Sequence, residues 1–228
     1  DLCYGCGRCL QICPSDLISA QEQVYHPEFL WQDLAQITAP SVPAPQFSPT
    51  KLKIDAIEIH TQPYRVTEFR AFWQRIAPIV PTLQLMAVSF PDCEDLEAYL
   101  RALLDCMEPR PKQLIWQTDG RPMSGDIGEG TTHAALALAR KVLDFQLPFG
   151  FVQLAGGTNH STVTKIRQHQ INAAGVAYGS YGRKILAELL EQSPLQLETD
   201  ATALETAVKI AQGLVMPLKE SAQNRELL

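Results

Sequence analysis

Cys3, Cys6, Cys9 and Cys13 stand in the spacing C-x2-C-x2-C-x3-C, with Pro14 directly after the last thiol. Thiolates at this spacing hold [4Fe–4S] clusters in bacterial-type ferredoxins. Two-residue gaps let a tight loop bring three sulfurs to one cubane, and Gly5 and Gly7 allow close backbone approach. The fourth thiol of such a run serves the other cluster in two-cluster ferredoxins. Cys3, Cys6 and Cys9 are therefore expected to lack a fourth ligand, and Cys13 to lack three companions. Structural zinc prefers paired C-x2-C units set far apart, and four cysteines this close suit disulfides poorly. Both alternatives fit the spacing less well than a cluster does. Cys93 and Cys106, the other two thiols, fall in helix-like sequence and read as small buried hydrophobes. The chain opens on Asp1 rather than Met, so a preceding segment carrying the companion cysteines is expected to be missing.

A second group of residues sits where short apolar runs end. In parallel α/β architectures functional groups gather at the carboxyl ends of strands. Here those positions are Glu58 and His60, Ser89 to Asp92, Gln117 to Arg121, Ala155 to His160, and Tyr178 to Lys184. Gly156-Gly157-Thr158 and Gly179-Ser180-Tyr181-Gly182 lie on consecutive strand-to-helix turns. Glycine there lets backbone N–H groups approach an oxyanion, and the next helix adds its dipole. Gly156, Gly157, Thr158, Gly179, Ser180 and Gly182 are thus candidates to cradle the phosphate of FMN, a nucleotide or a sugar. The alternative is that these glycines only permit tight turns. The loop Asp119 to Gly130 is long and acidic. Asp119, Arg121, Asp126 and Glu129 could act on a ligand there, or the loop could simply be solvated. His60 and His160 are candidate acid–base groups, with local hydrogen bonding as the plainer role. A nucleophile elbow, a P-loop and a Rossmann fingerprint are all missing from the sequence. Whether the chain is an enzyme is left open at this point.

The elements that must position these groups follow from periodicity. Ile54–His60, Leu83–Phe90, Gln113–Thr118, Phe149–Ala155 and Ala174–Tyr178 read as strands. Helical patterns cover Val66–Ile79, Leu96–Met107, Thr131–Phe145, Ser161–Gln168, Arg183–Glu191 and, after a possible cap at Asp200, Ala201–Leu214. Five βα units in series imply a parallel sheet with helical crossovers. Pro40, Pro43, Pro45 and Pro49 make residues 39–50 an extended linker. The expected organisation is a ferredoxin-type segment over 1–38, that linker, and an α/β domain over 51–228.

Composition narrows the class. The 228 residues carry 46% hydrophobic and 19% charged side chains, ordinary for a globular protein, and a formal charge of −6. No basic stripe appears, which argues against nucleic acid. No apolar run approaches the roughly 18 residues of a membrane span. A cysteine set that binds a cluster needs reduced thiols, so a cytoplasmic location is expected.

The cysteine run, Gly156-Gly157-Thr158-Asn159-His160-Ser161-Thr162-Val163 and Gly175-Val176-Ala177-Tyr178-Gly179-Ser180-Tyr181-Gly182-Arg183-Lys184 together resemble the cyanobacterial light-dependent period protein family. That family comprises iron–sulfur proteins of circadian clock input, and the resemblance runs along the whole chain. It implies a redox-sensing protein with clock or photosynthetic redox components as protein partners, and Cys3, Cys6, Cys9 and Cys13 as cluster ligands. The fold expected with it is a ferredoxin-like [4Fe–4S] half-module followed by the second half of a TIM-like barrel. Three further strands would precede the cysteines. The runner-up is an FMN-dependent oxidoreductase whose ferredoxin module feeds electrons to such a barrel.

Overall fold

The computed structural model describes residues 55–120, 132–192 and 200–223. The cysteine motif, the proline-rich stretch 39–50, and Arg121, Asp126 and Glu129 lie outside the described residues.

Five strands form one parallel sheet in simple chain order. They are β1 (Ala56–His60), β2 (Leu85–Pro91), β3 (Leu114–Asp119), β4 (Phe151–Ala155) and β5 (Gly175–Val176). Helices α1 (Val66–Ile76), α2 (Leu96–Cys106), α3 (Thr132–Asp144) and α4 (Thr162–Gln168) alternate with them. Helices α5 (Ser180–Gln192) and α6 (Ala201–Gln223) follow.

Strand side chains alternate between two faces. Met86, Val88 and Phe90 of β2, Leu114 and Trp116 of β3, and Val152 and Leu154 of β4 share one face and are buried. Register places Met86 beside Leu114 and Val88 beside Trp116, which in turn faces Val152. The helices cover this face through residues at helical spacing: Phe69, Trp73 and Ile76 of α1, Leu96, Leu100 and Leu103 of α2, and Ala135, Leu138 and Val142 of α3. Every strand side chain in the buried apolar cluster belongs to this one face. Burying a large apolar side chain contributes about 1.5–3 kcal/mol, so this layer dominates the stability of the domain. The Trp116 indole also donates to the Phe149 carbonyl at 2.8 Å, satisfying a polar atom that burial would otherwise orphan.

Gly120 lets α3 cross the end of β3. A Cβ there would lie 2.3 Å from the Ala135 backbone.

Several element boundaries differ from the periodicity reading. Helix α1 stops at Ile76, three residues before Ile79, because Pro78 cannot continue it, and a 3-10 turn at Val80–Thr82 follows. Strand β2 starts at Leu85 rather than Leu83, and β5 shrinks to two residues. Helix α3 opens at Thr132, whose hydroxyl donates to the Gly157 carbonyl at 3.2 Å. Cys93 lies half-buried in the loop ahead of α2 instead of in a helix, whereas Cys106 ends α2 and is buried. Helix α6 runs past Leu214 and through Pro217 to Gln223. Its start was legible: Asp200 Oδ1 accepts from the N–H groups of Thr202 and Ala203, both at 3.0 Å.

Candidate ligand site at the carboxyl ends of the strands

Strand β4 ends on Ala155, and Gly156 and Gly157 then adopt φ of 62° and 78°. Both values lie in the left-handed region, which favours glycine. Thr158 is buried, and its hydroxyl donates to the Ala177 carbonyl at 2.6 Å. That bond ties the turn after β4 to the turn after β5. Asn159 Oδ1 accepts from the Ser161 N–H at 2.9 Å and from the Ser161 hydroxyl at 2.7 Å. The Asn159 N–H donates to Thr162 Oγ1 at 2.8 Å. The Thr158 hydroxyl is thus committed to holding the turn.

The second glycine segment is placed differently from the expected turn. Helix α5 begins at Ser180, not Arg183, so Ser180 and Gly182 fall in its first turn. Gly179 is exposed, and a Cβ built there would meet nothing within 4 Å. Arg183 donates to Ser180 Oγ at 3.4 Å. His160 Nδ1 lies 3.2 Å from the Tyr181 hydroxyl, with ring centroids 5.9 Å apart, so His160 also joins the two turns. Burial pushes the neighbouring Tyr178 phenol above its ordinary range, with the nearby Tyr181 adding to the shift.

The sheet face away from the helices carries a separate group. Glu58 Oε1 sits 3.0 Å from His60 Nε2 and accepts a hydrogen bond from the Gln117 amide. Register aligns His60 with Ser89, Ser89 with Gln117, and Gln117 with Gln153. Four adjacent strands therefore present an imidazole, a hydroxyl and two amides at one level. Two residues nearer the amino ends, the same face carries Ala87, Ile115 and Phe151 beside Glu58. One level beyond the polar row stands Asp119, paired with Ala155 just before the glycine turn. The face changes from largely apolar to polar toward the carboxyl ends.

Where β1 meets α1, a cleft of about 460 Å³ opens beside His60, with Phe69 and Phe72 in its wall. The Tyr99 hydroxyl donates to the Gln62 carbonyl at 2.7 Å, and the Thr61 hydroxyl to the Ser89 carbonyl at 3.0 Å, pinning this turn to its neighbours. Glu68, also on the cleft, has its carboxyl held below the usual range by a backbone hydrogen bond and by Arg65 at 2.9 Å. Sequence reading singled out Glu58, His60, Ser89, Gln117 and Asp119 as strand-end residues. It missed Gln153 inside an apolar run, although alternation along Phe151-Val152-Gln153-Leu154 places it opposite the core.

Among the described residues, no three metal-ligating side chains come together.

A parallel sheet wound in one direction, joined to a ferredoxin-type cysteine set, defines an iron–sulfur α/β protein. Residues 50–217 match the family described as Light dependent period A C-terminal domain, and residues 1–24 match the LdpA Fe-S cluster-binding domain. The chain belongs to the LdpA family. A curated relative, Light dependent period A of Synechococcus elongatus, is 44% identical over 231 residues, covering 97% of this chain. The match spans 61% of that relative's length. No solved structure matches the chain. Among the described residues, no helix is long and apolar enough to cross a membrane.

Proposed function

We propose that this protein senses cellular redox state through [4Fe–4S] chemistry at Cys3, Cys6, Cys9 and Cys13 and passes that state to a protein partner. The observation that carries the reading is the C-x2-C-x2-C-x3-C-P spacing inside residues 1–24, the stretch matched by the Fe-S cluster-binding domain. A bound cluster supplies a one-electron couple and a charge that changes with potential. The thiols must lose their protons to ligate. The relative's name ties it to a light-dependent period. Carried to this chain, that makes the partner a component of the circadian clock or of photosynthetic redox metabolism, met in the cytoplasm. The matched ranges leave residues 25–49 between them, which supports reading 39–50 as a linker between a segment at 1–38 and a domain at 51–228.

The same proposal extends to the fold. Parallel crossovers generally share one hand, and with a strand order without reversal they keep helices on one face, as in a barrel. The second face is largely apolar below and polar at the carboxyl ends, the gradient expected of a barrel interior and its mouth. Both features support the domain as the later strands of a TIM-like barrel, with the open edge of β1 paired by strands of the full-length protein.

The test is an anaerobic redox titration of the full-length protein followed by EPR, with iron and sulfide analysis. A reversible signal that disappears in Cys6→Ser is expected. Full-length protein that holds no iron ends the proposal.

One observation favours a second reading. Thr158 holds the two glycine turns side by side, and the space around Gly179 is open. Gly156, Gly157, Gly179, Ser180 and Gly182 would then grip the phosphate of FMN in an oxidoreductase fed by the cluster. Flavin absorbance bands in the purified protein would support it; none after reconstitution with FMN would count against it.

A further inference from the structure

We propose that residues 28–37 form a helix that lays Leu30, Leu34 and Ile37 into the cleft between β1 and α1, holding the cysteine segment against the sheet. The docking stands without the cluster. Its use as the path from cluster to sheet rests on the redox reading above.

The first observation is the cleft itself. It encloses about 460 Å³ and is lined by Glu58, Ile59 and His60 of β1 and by the first half of α1. Ile59, Phe69 and Phe72 give it an apolar wall. Phe72 is only partly buried against the core, so the cleft leaves part of its ring uncovered. The charged groups on the rim answer one another. His60 Nε2 lies 3.0 Å from Glu58 Oε1, and Arg65 lies 2.9 Å from Glu68 Oε1. What the cleft offers a newcomer is therefore apolar contact, and its occupant is an apolar face.

The second observation is topology. Among the described residues β1 pairs with β2 alone, so its other edge is free. A connection entering β1 from the earlier parallel strand proposed above shares the hand of the other crossovers. It then passes over the helix-bearing face on the free-edge side, next to α1. The cleft lies there, and the chain that enters β1 is the chain that carries residues 28–37. A strand added at the free edge would continue the sheet, whereas this helix would lie over the sheet's helical face.

The third observation is the pattern of the segment. Pro27 and Glu28 suit a first helical turn, and Pro40 stops the helix. Leu30, Leu34 and Ile37 recur at helical spacing, with Gln32 and Gln36 on the opposite side. An isolated helix this short is marginal in water, so its apolar stripe needs a partner surface. Residues 38–55 reach about 50 Å when extended, at about 3.1 Å per residue, against about 17 Å for the length of β1. The tether therefore permits the docking. The Fe-S cluster-binding match ends at residue 24, just before the helix. A change at the cluster would then displace an element in direct contact with β1 and α1.

Hydrogen–deuterium exchange on the full-length protein tests the docking, with iron content and EPR measured on the same sample. Amides of residues 30–37 should be protected. Leu34→Asp should release them and speed exchange at residues 59–62 and in the first half of α1 roughly tenfold, the scale of one leucine lost from an apolar contact. Strand β3 should keep its protection. Phe72→Ala, on the opposite wall of the cleft and far away in sequence, should also release residues 30–37, which separates docking from a merely local unwinding by the first variant. Unprotected residues 30–37 in the unaltered protein overturn the proposal, as does protection that Phe72→Ala leaves unchanged. Exchange at β1 and α1 that ignores Leu34→Asp overturns it too, because another part of the chain would then fill the cleft. Iron-free protein that keeps both couplings ends the redox reading and supports the docking; cluster-bearing protein that lacks them ends the docking alone.

Discussion

The two faces of one sheet are built from alternate residues of the same strands, yet they do opposite jobs. On one face Met86, Val88, Leu114, Trp116 and Leu154 are sealed beneath helices α1 to α3. On the other, Glu58, His60, Gln117 and Gln153 remain polar, and Phe151 is 59% exposed. Trp116 and Gln117 are neighbours in sequence and belong to different problems. The first face carries the stability of the fold. The second pairs polar groups along and across strands, as Glu58 does with His60 and Gln117.

Substitutions that distinguish the faces can break this contrast. Trp116→Ala removes a fully buried ring that also contacts Phe90, and should cost about 3–5 kcal/mol in chemical denaturation. Gln117→Met, one residue away, should cost far less; equal losses would erase the distinction.

Between the extremes stand the bonds that join turns across the strand ends. Thr158→Val deletes the donor to the Ala177 carbonyl and should cost about 1–2 kcal/mol, since that acceptor loses its partner. It should also loosen the turns at Gly157 and Gly179, seen as faster amide exchange there. Asp200→Ala removes two N-terminal hydrogen bonds of α6 and should cost about 1 kcal/mol, read as fraying of that helix while the sheet holds.

The smallest effect concerns Cys93. Burial pushes its thiol above the ordinary range, and the neighbouring Asp92 adds to the shift. A raised folded value means that the neutral thiol is favoured in the fold. Its contribution is complete below the unfolded thiol value, about 8.5, and is lost as pH rises through the higher folded value. Cys93→Ala should therefore flatten the alkaline end of the stability profile by a few tenths of a kcal/mol, about the scale of a partly exposed group. Alkylation of Cys93 by iodoacetamide should be slower than that of a free thiol at the same pH.

Much of this architecture can be read from the residues alone. Runs such as Leu85–Phe90 and Leu114–Thr118 are long and β-branched or aromatic enough to declare five strands, and the intervening segments have clear helical period. Asp200 announced α6 because its side chain answers the free N–H groups of the first turn. The errors fall where tertiary contacts overrule local signals. Gly179 and Gly182 looked like one continuous turn, but Ser180 already starts α5. The polar row was the least legible feature. Its members lie on four strands separated by dozens of residues, and only register brings His60, Ser89, Gln117 and Gln153 to one level.

The proposed relay to a partner requires that the state of the cluster reach the α/β domain. Hydrogen–deuterium exchange on the full-length protein, compared between the air-free oxidised and dithionite-reduced forms, tests it most directly. The account predicts altered protection at β1 and at the turns after β4 and β5, with β2 and β3 under the helices unchanged. Identical exchange across the whole α/β domain in both forms would contradict it.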